Sequence, residues 1–219
     1  MIHSLTRHMP ALAALAALLI PGTAAAHPHI FAEARLEVET SANGQIAELR
    51  HVWRFDEVFS SSVMLDFDRN GNFELDREEL ASISEVVTDS LKDFDYYTSL
   101  TVNGGDMDIE LPEAIKVAFQ DGQLLMFFAV LPKQPLPMSG TIAIGVFDPT
   151  MYAALDFMTD DDMVVTGAGA KKCASQVVRP DPDEVIAQNQ GSLTEAFFNE
   201  PTGNDLSKLF ATRLELDCK

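Results

Sequence analysis

The stretch Ile30–Phe55, IFAEARLEVETSANGQIAELRHVWRF, decides the fold. Apolar and charged residues alternate up to Thr40, and the same alternation returns after Asn43-Gly44. A period of two is typical of a strand with one buried face, and Asn-Gly is a strong signal for a two-residue hairpin turn. The stretch therefore predicts a β-hairpin in which His51 lies opposite Leu36 on the apolar face.

The period changes over residues 56–95. Apolar residues there recur every three or four positions, which predicts amphipathic helices. An acidic, glycine-containing stretch separates the two helical runs, so the segment predicts a helix, a loop and a second helix. The residues that carry the second run are Leu80, Ile83, Val87, Leu91 and Phe94.

Strand signals return after Tyr96 and continue to the end of the chain. Turn dipeptides such as Asn103-Gly104 and Asp121-Gly122 separate short apolar runs, as in all-β domains. We expect a mainly β fold, an antiparallel β-sandwich-like domain over residues 27–219 with the EF-hand-like helix-loop-helix inserted at about 56–95.

Residues 1–26 have the pattern of a secretory signal peptide. Arg7 precedes an apolar run from Ala11 to Ile20, and small residues occupy Ala24–Ala26. The run is shorter than the roughly 20 residues of a membrane-spanning helix. We expect cleavage after Ala26, export to the periplasm and no membrane insertion.

Charge and cysteine content narrow the partners and the compartment. The formal net charge is -19, which repels nucleic acid and anionic lipid, so we expect no nucleic-acid partner. Cys173 and Cys218 are the only cysteines and form no CxxC motif. In an oxidising compartment such a pair favours a structural disulfide.

The acidic loop DFDRNGNFELDREEL, from Asp66 to Leu80, suggests a calcium site. Counted from Asp66, it satisfies the pattern D-x-[DN]-x-[DN]-G, and its all-oxygen donors favour calcium in a stabilising role. The twelfth position is Arg77, so Glu78 would have to complete the ligand set. The alternative is an acidic turn that caps a helix. The predicted ligands are Asp66, Asp68, Asn70, Asn72, Glu74 and Glu78.

A second candidate metal site lies where the mature chain would begin, at His27-Pro28-His29. Pro28 has no N–H, which excludes the square-planar copper or nickel chelate that needs a deprotonated second amide. Imidazoles of His27 and His29, completed by His51, would suit zinc, or else copper or nickel. His51 could instead be a core histidine, and the two terminal histidines part of a disordered terminus. Alternative third ligands are Asp56, Glu57, Asp148 and Asp156.

Catalytic motifs are absent from the sequence. It contains no Gly-x-Ser-x-Gly, no HExxH and no phosphate-binding glycine loop, and a nucleophile would lack a partnering base. We therefore expect a protein that is not an enzyme. Oxidative copper chemistry at an amino-terminal histidine stays open as an alternative.

Seven short segments occur in an order that resembles a known family. They are HPHIF from His27, WRFDEVFS from Trp53, the calcium-like loop, VFDPTMY from Val146, the lone Cys173, RPDPDE from Arg179 and LELDC ending at Cys218. This set resembles the bacterial periplasmic domain-of-unknown-function family number one thousand and seven. Members are labelled ABC-type transport periplasmic components, are encoded beside nickel/cobalt-exporter-type (NicO) permeases, and some are implicated in zinc uptake.

The resemblance implies a periplasmic metal-handling partner of an inner-membrane NicO-type permease, with His27 and His29 on the family's opening motif. Together with the residues, it predicts a zinc-binding accessory protein that captures or delivers metal. The alternatives are a copper-binding protein or enzyme and a calcium-stabilised secreted module that binds another protein through its acidic face.

Overall fold

The computed structural model describes residues 29–199 and 207–219. The predicted signal peptide, residues 1–26, and His27 lie outside these described residues. The helices are α1 (Glu57–Phe67), α2 (Arg77–Leu91), α3 (Pro182–Asn199) and α4 (Ser207–Phe210), with short 3₁₀ turns at Lys92–Tyr97 and Asp160–Asp162. The strands are β1 (Ile30–Thr40), β2 (Gln45–Phe55), β3 (Thr98–Val102), β4 (Gly105–Asp106), β5 (Ile109–Glu110), β6 (Lys116–Gln120), β7 (Gln123–Pro132), β8 (Leu136–Pro137), β9 (Gly140–Val146), β10 (Ala153–Asp156), β11 (Met163–Gly167), β12 (Cys173–Val178) and β13 (Arg213–Cys218).

The hairpin predicted from the opening stretch is present as β1 and β2. Its register places Leu36 opposite His51, as expected, with one irregularity between Glu39 and Thr40. From Ala32 onward the even-numbered residues of β1 are buried, while the odd-numbered ones are exposed or half-buried. This alternation follows from the period-two pleat of a strand that has one face on the core. The hairpin is the centre of a sheet ordered β10-β1-β2-β7-β5, onto which β11, β6 and β8 also pair.

A second sheet packs against the first to form the sandwich. Its order is β12-β13-β9-β3-β4, and all its neighbours run antiparallel. One hydrophobic cluster includes residues of both sheets, so the two inner faces share a single core. The mainly β, sandwich-like fold is therefore confirmed. The fully buried residues of this core include Leu36, Leu49, Leu124, Ile142, Ile144, Leu214 and Leu216.

The outer edge of the first sheet departs from the antiparallel expectation. β1 pairs in parallel with β10, where Ile30 faces Ala153, and with β11, where Leu36 faces Met163. The chain leaves β9 in the second sheet and re-enters the first sheet at β10. Such a crossover needs no tight turn, and turn dipeptides therefore gave no signal for it.

The predicted helix-loop-helix is confirmed over α1 and α2 and is fastened to the sheets by polar contacts. Buried Ser60 on α1 accepts a hydrogen bond from the Leu124 N–H of β7 at 2.9 Å. On α2, Thr88 Oγ1 accepts from the Ile115 N–H at 2.9 Å, and Ile83 is in the core. The insertion therefore belongs to the sandwich and is not a separate body.

The predicted disulfide joins β12 to β13. Cys173 lies directly opposite Cys218 in the antiparallel ladder, and the two Cα atoms are 4.2 Å apart. In the part of the chain that the structure describes, no helix has the length and apolar character needed to cross a membrane.

Candidate metal sites: the acidic loop and the start of the first strand

The acidic loop connects two well-defined helix ends. α1 ends at Phe67, and α2 begins at Arg77 with Asp76 as its N-cap. Asp76 Oδ1 accepts hydrogen bonds from the N–H groups of Glu78 and Glu79. Only residues 68–76 therefore lie between the helices.

Asp68 organises the first half of this loop. Its carboxylate accepts from three backbone N–H groups, those of Gly71 at 2.8 Å, Asn72 at 3.2 Å and Phe73 at 2.8 Å. The chain therefore wraps around this side chain. A carboxylate has about four lone-pair sites, so Asp68 keeps acceptor capacity for a cation.

The two asparagines continue the same arrangement. Asn70 Oδ1 accepts from the Asn72 N–H at 3.1 Å, and Asn72 Oδ1 accepts from the Glu74 N–H at 2.8 Å. Successive side-chain oxygens at alternate positions thus turn toward the inside of the loop. This spacing is the one that the first half of an EF-hand loop uses.

Glu79 closes the loop from the first turn of α2. Its side chain is buried, with the residue 3% exposed. One carboxylate oxygen accepts from the Arg69 N–H at 2.8 Å and the other from the Asp76 N–H at 2.9 Å. Glu79 therefore ties the beginning of the loop to the N-terminus of α2, and it completes a capping box with Asp76.

These positions favour a register that begins at Asp68 instead of Asp66. Asp66 is an exposed residue inside α1, and Glu78 is exposed on the first turn of α2. Counted from Asp68, Glu79 is the twelfth residue, where an EF-hand loop has its bidentate glutamate. Asn70, Asn72 and Asp76 then stand at positions three, five and nine, and Glu74 supplies its backbone carbonyl at position seven.

Gly71 explains why the pattern suggested the earlier register. EF-hand loops carry a glycine at position six for a sharp turn, and Gly71 is the sixth residue from Asp66. In the later register the sixth residue is Phe73, which adopts a positive φ of 61°. The turn is therefore present although the residue is not glycine, at a cost of about 1–2 kcal/mol.

The donor set of the later register fits a hard cation. It consists of carboxylate, amide and carbonyl oxygens, which calcium prefers. Among the described residues, no three aspartate, glutamate, histidine or cysteine side chains converge closely enough to surround an ion. The Asp68 and Glu79 carboxylates are turned onto backbone N–H groups, so calcium would compete with these hydrogen bonds for the same oxygens.

The second candidate site lies at the start of β1. His29 is exposed, and its ring centroid is 5.0 Å from that of Tyr152. The backbone N–H of His29 donates to the Tyr152 carbonyl oxygen at 2.8 Å. Two residues on, the Phe31 N–H donates to Asp56 Oδ2 at 3.2 Å. The backbone that presents His29 is therefore fixed to two other segments of the fold.

The Asp56 carboxylate contacts this strand start directly, through the Phe31 N–H. Burial raises its pKa, but hydrogen bonds from the N–H groups of Phe59, Phe31 and Val58 outweigh this effect and hold the pKa below its ordinary value. Asp56 therefore stays ionised, but its oxygens already serve as the N-cap of α1 and as a clamp on β1.

The other proposed carboxylate ligands divide into two groups. Asp148 is buried and accepts from the N–H groups of Thr150 and Ala153, so its role is to hold a turn. Glu57 and Asp156 are exposed. Asp156 pairs with Glu33, four residues along β1 from His29 and thus about 13 Å away.

His51 is not brought together with His29. Its position opposite Leu36 places it seven residues along the strand from His29, or roughly 20 Å. It is 1% exposed, stacks on Phe128 with ring centroids 4.6 Å apart, and lies with Nε2 3.3 Å from Thr98 Oγ1. These contacts favour the core-histidine alternative over a role as a metal ligand.

Comparison with known proteins gives a family but no activity. An uncharacterized 15.5 kDa protein encoded in the trpE 3′ region of Spirochaeta aurantia is 25% identical over 95 residues, which cover 43% of this chain and 68% of that protein. The family described as "Protein of unknown function (DUF1007)" matches residues 12–218. The chain therefore belongs to the DUF1007 family.

Proposed function

We propose that this protein is an exported metal-binding accessory protein, not an enzyme, whose helix-loop-helix binds calcium. The observation that carries the proposal is the position of Glu79, which is the twelfth residue from Asp68 and already reaches back to the first turn of the loop. Asp68, Asn70, Asn72, Asp76 and Glu79 would supply side-chain oxygens, and Glu74 its carbonyl.

Calcium in this loop would act on stability. The ion would bridge the end of α1 to the start of α2 and offset repulsion among the carboxylates that face the loop. Extracellular calcium modules bind with dissociation constants of about 10⁻⁴–10⁻³ M. At ten times the dissociation constant, binding adds about 1.4 kcal/mol to the free energy of unfolding.

Calorimetric titration with calcium of Asp68→Asn and Glu79→Gln tests this site. We expect each change to weaken calcium binding by about tenfold or more, equivalent to about 1.4 kcal/mol. Each change replaces a carboxylate ligand with a neutral amide. Glutamine can still form a capping box, so Glu79→Gln separates loss of a ligand from loss of the helix cap.

Asp66→Asn and Glu78→Gln are the matched controls, since each lies one or two residues from a proposed ligand and removes the same charge. Both should leave the calcium affinity within about twofold. If only these two controls bind calcium more weakly, the result would support the register that begins at Asp66. Wild-type calcium affinity in all four variants would contradict a calcium site in this loop.

A second candidate function is capture of a transition metal for delivery to an inner-membrane NicO-type permease. It is favoured by the exposure of His29 on a backbone fixed to Tyr152. Imidazoles of His27 and His29 would bind zinc, or else copper or nickel, and release it readily because few ligands hold it.

Zinc competition against a chromogenic chelator tests this function on protein whose start at His27 is verified by mass spectrometry. We expect His27→Ala with His29→Ala to lower the zinc affinity by about a hundredfold, because both imidazoles are lost. His51→Leu should leave it unchanged within about twofold, since His51 is in the core. Retained affinity in the double variant, or loss in His51→Leu, would contradict the assignment.

A further inference from the structure

A groove of about 790 Å³ is lined by residues that follow α2, residues that join the two sheets, and Phe147 and Pro149 after β9. One wall is the segment that leads from β4, at the edge of the second sheet, to β5, at the edge of the first. The opposite wall is the turn Lys92–Tyr97 that follows α2. The groove therefore lies where the edges of the two sheets are bridged, and none of the residues proposed above as metal ligands is among its lining residues, although Phe147 and Pro149 flank Asp148.

The groove is strongly electronegative. Five exposed carboxylates line it, against two lysine ammonium groups. A cleft lined by one sign of charge concentrates its field and attracts ligands of the opposite sign. The carboxylates are Asp93, Asp95, Asp106, Asp108 and Glu110, and the lysines are Lys133 and Lys208.

Apolar side chains are interleaved with these charges. Phe94 and Leu111 both line the groove and are 40% and 37% exposed. The Phe94 ring is 6.2 Å from that of Tyr97, which in turn stacks on the core residue Trp53 at 5.9 Å. The apolar part of the groove therefore rests on the core.

The wall that carries Phe94 has a fixed conformation. Asp95, Tyr96 and Tyr97 adopt φ values of 48°, 50° and 57°, and each such left-handed residue costs about 1–2 kcal/mol. Tyr96 is buried, and its hydroxyl donates to the Thr88 carbonyl oxygen at 3.0 Å. The groove is therefore formed before any ligand arrives.

The chain itself shows what chemistry this groove accepts. The Lys208 ammonium group lies in it and bonds to Asp106 at 3.1 Å. Among the described residues, Asp93, Asp95, Asp108 and Glu110 form no ion pair with a lysine or arginine, as Asp106 does with Lys208, and all four are exposed to further cations.

We propose that this groove binds an extended segment of a partner protein in which lysine or arginine alternates with apolar residues. The cationic ends would meet the carboxylates, while their aliphatic stems and the apolar residues would pack on Phe94 and Leu111. The volume lies within the roughly 300–1,000 Å³ of ligand sites. It therefore fits a few residues of chain and not a folded domain.

Fluorescence anisotropy with a labelled octapeptide of alternating arginine and leucine tests the proposal on the exported protein. Titrations in about 150 mM salt, where the Debye length is about 8 Å, suppress long-range attraction. Neutralising the groove with Asp95→Asn, Asp108→Asn and Glu110→Gln should weaken binding by about tenfold or more. The matched variant Glu85→Gln, Asp161→Asn and Glu184→Gln has the same net charge, and its affinity should stay within about twofold.

Phe94→Ala supplies a test that leaves the charge unchanged. It should weaken binding by about fivefold because it removes an apolar contact of the arginine stems, and it decides the matter if the groove triple variant fails to fold by circular dichroism. Equal weakening by the groove and matched variants would mean general attraction to an acidic protein. That result, no detectable binding, or full affinity in Phe94→Ala would each overturn the proposal.

Discussion

Replacing Cys173 and Cys218 with alanine is expected to lower the free energy of unfolding by about 4 kcal/mol. The two cysteines are separated by 45 positions, so the bond closes a long loop in the unfolded chain. Restricting that loop removes unfolded-state entropy, and the restriction is lost in the variant. Alanine is preferred to serine because Cys218 is buried and a hydroxyl there would need a new partner.

The loss should be concentrated in β12. This strand is at the edge of the second sheet and pairs only with β13 on the ordered path, and its central residues 174–176 are exposed. It therefore buries little apolar surface, and its attachment depends on the backbone ladder and the disulfide. Hydrogen exchange of β12 amides should accelerate more than that of β9, which is on the other side of β13.

Urea unfolding of the oxidised protein, the reduced protein and the double variant measures the effect. The reduced protein should match the variant, and a reductant should leave the variant unchanged. The variant should also show a larger dependence of the free energy of unfolding on urea, because its unfolded state is less compact. Equal stability of oxidised and reduced protein would contradict the chain-entropy argument.

The sequence predicted the parts of the fold that depend on local chemistry. Asn43-Gly44 and the alternation around it were sufficient for the hairpin and for the pairing of Leu36 with His51. Asp121-Gly122 marked the β6–β7 hairpin, where Asp121 and Gly122 both have the positive φ that such a turn requires.

Long-range pairing was not predictable in the same way. The parallel partners of β1 lie more than a hundred residues along the chain, at Ala153 and Met163. No turn residue connects them to β1, and a half-buried strand has the same period whether its neighbour is parallel or antiparallel. Only packing against the rest of the sheet selects that arrangement.

The candidate sites show a similar division. The sequence placed a helix-loop-helix around the acidic stretch, and Gly71 suggested a register from Asp66, two residues before the one that the hydrogen bonds favour. The register from Asp68 is not evident in the sequence, because it needs a positive φ at Phe73 and a phenylalanine does not predict one. The sequence placed His51 on the apolar face opposite Leu36, which was sufficient to raise the core alternative, and the same register sets its distance from His29.

His51 is a titratable group inside the core. It stacks on Phe128 at an interplanar angle of 8° and meets the edge of Trp53. Thr98 Oγ1 donates its proton to the Tyr96 carbonyl oxygen at 3.1 Å, so the His51 Nε2–H donates to Thr98. His51 Nδ1 then carries the lone pair, and it has no hydrogen-bond partner among the described residues.

Exclusion of a proton from the buried His51 side chain is expected to lower the free energy of unfolding in acid. Burial lowers the pKa of His51 from 6.5 to about 3, so between these values the unfolded chain binds a proton that the folded chain excludes. Stability is then complete above pH 6.5 and falls with pH by about 1.4 kcal/mol per unit until the folded-state pKa is reached. Urea unfolding of wild type and His51→Leu at pH 7.5, 6.0 and 5.0, compared as free energies of unfolding, measures this slope.

His51→Leu isolates the contribution of the imidazole from that of the many carboxylates, which titrate in both proteins. At pH 7.5 the two free energies of unfolding should agree within about 1.5 kcal/mol, because leucine has a similar size and Thr98 keeps its bond to Tyr96. At pH 5.0 the variant should gain about 2 kcal/mol relative to wild type. A difference that does not change with pH would mean that the folded core accommodates the imidazolium ion, and would contradict the argument from burial.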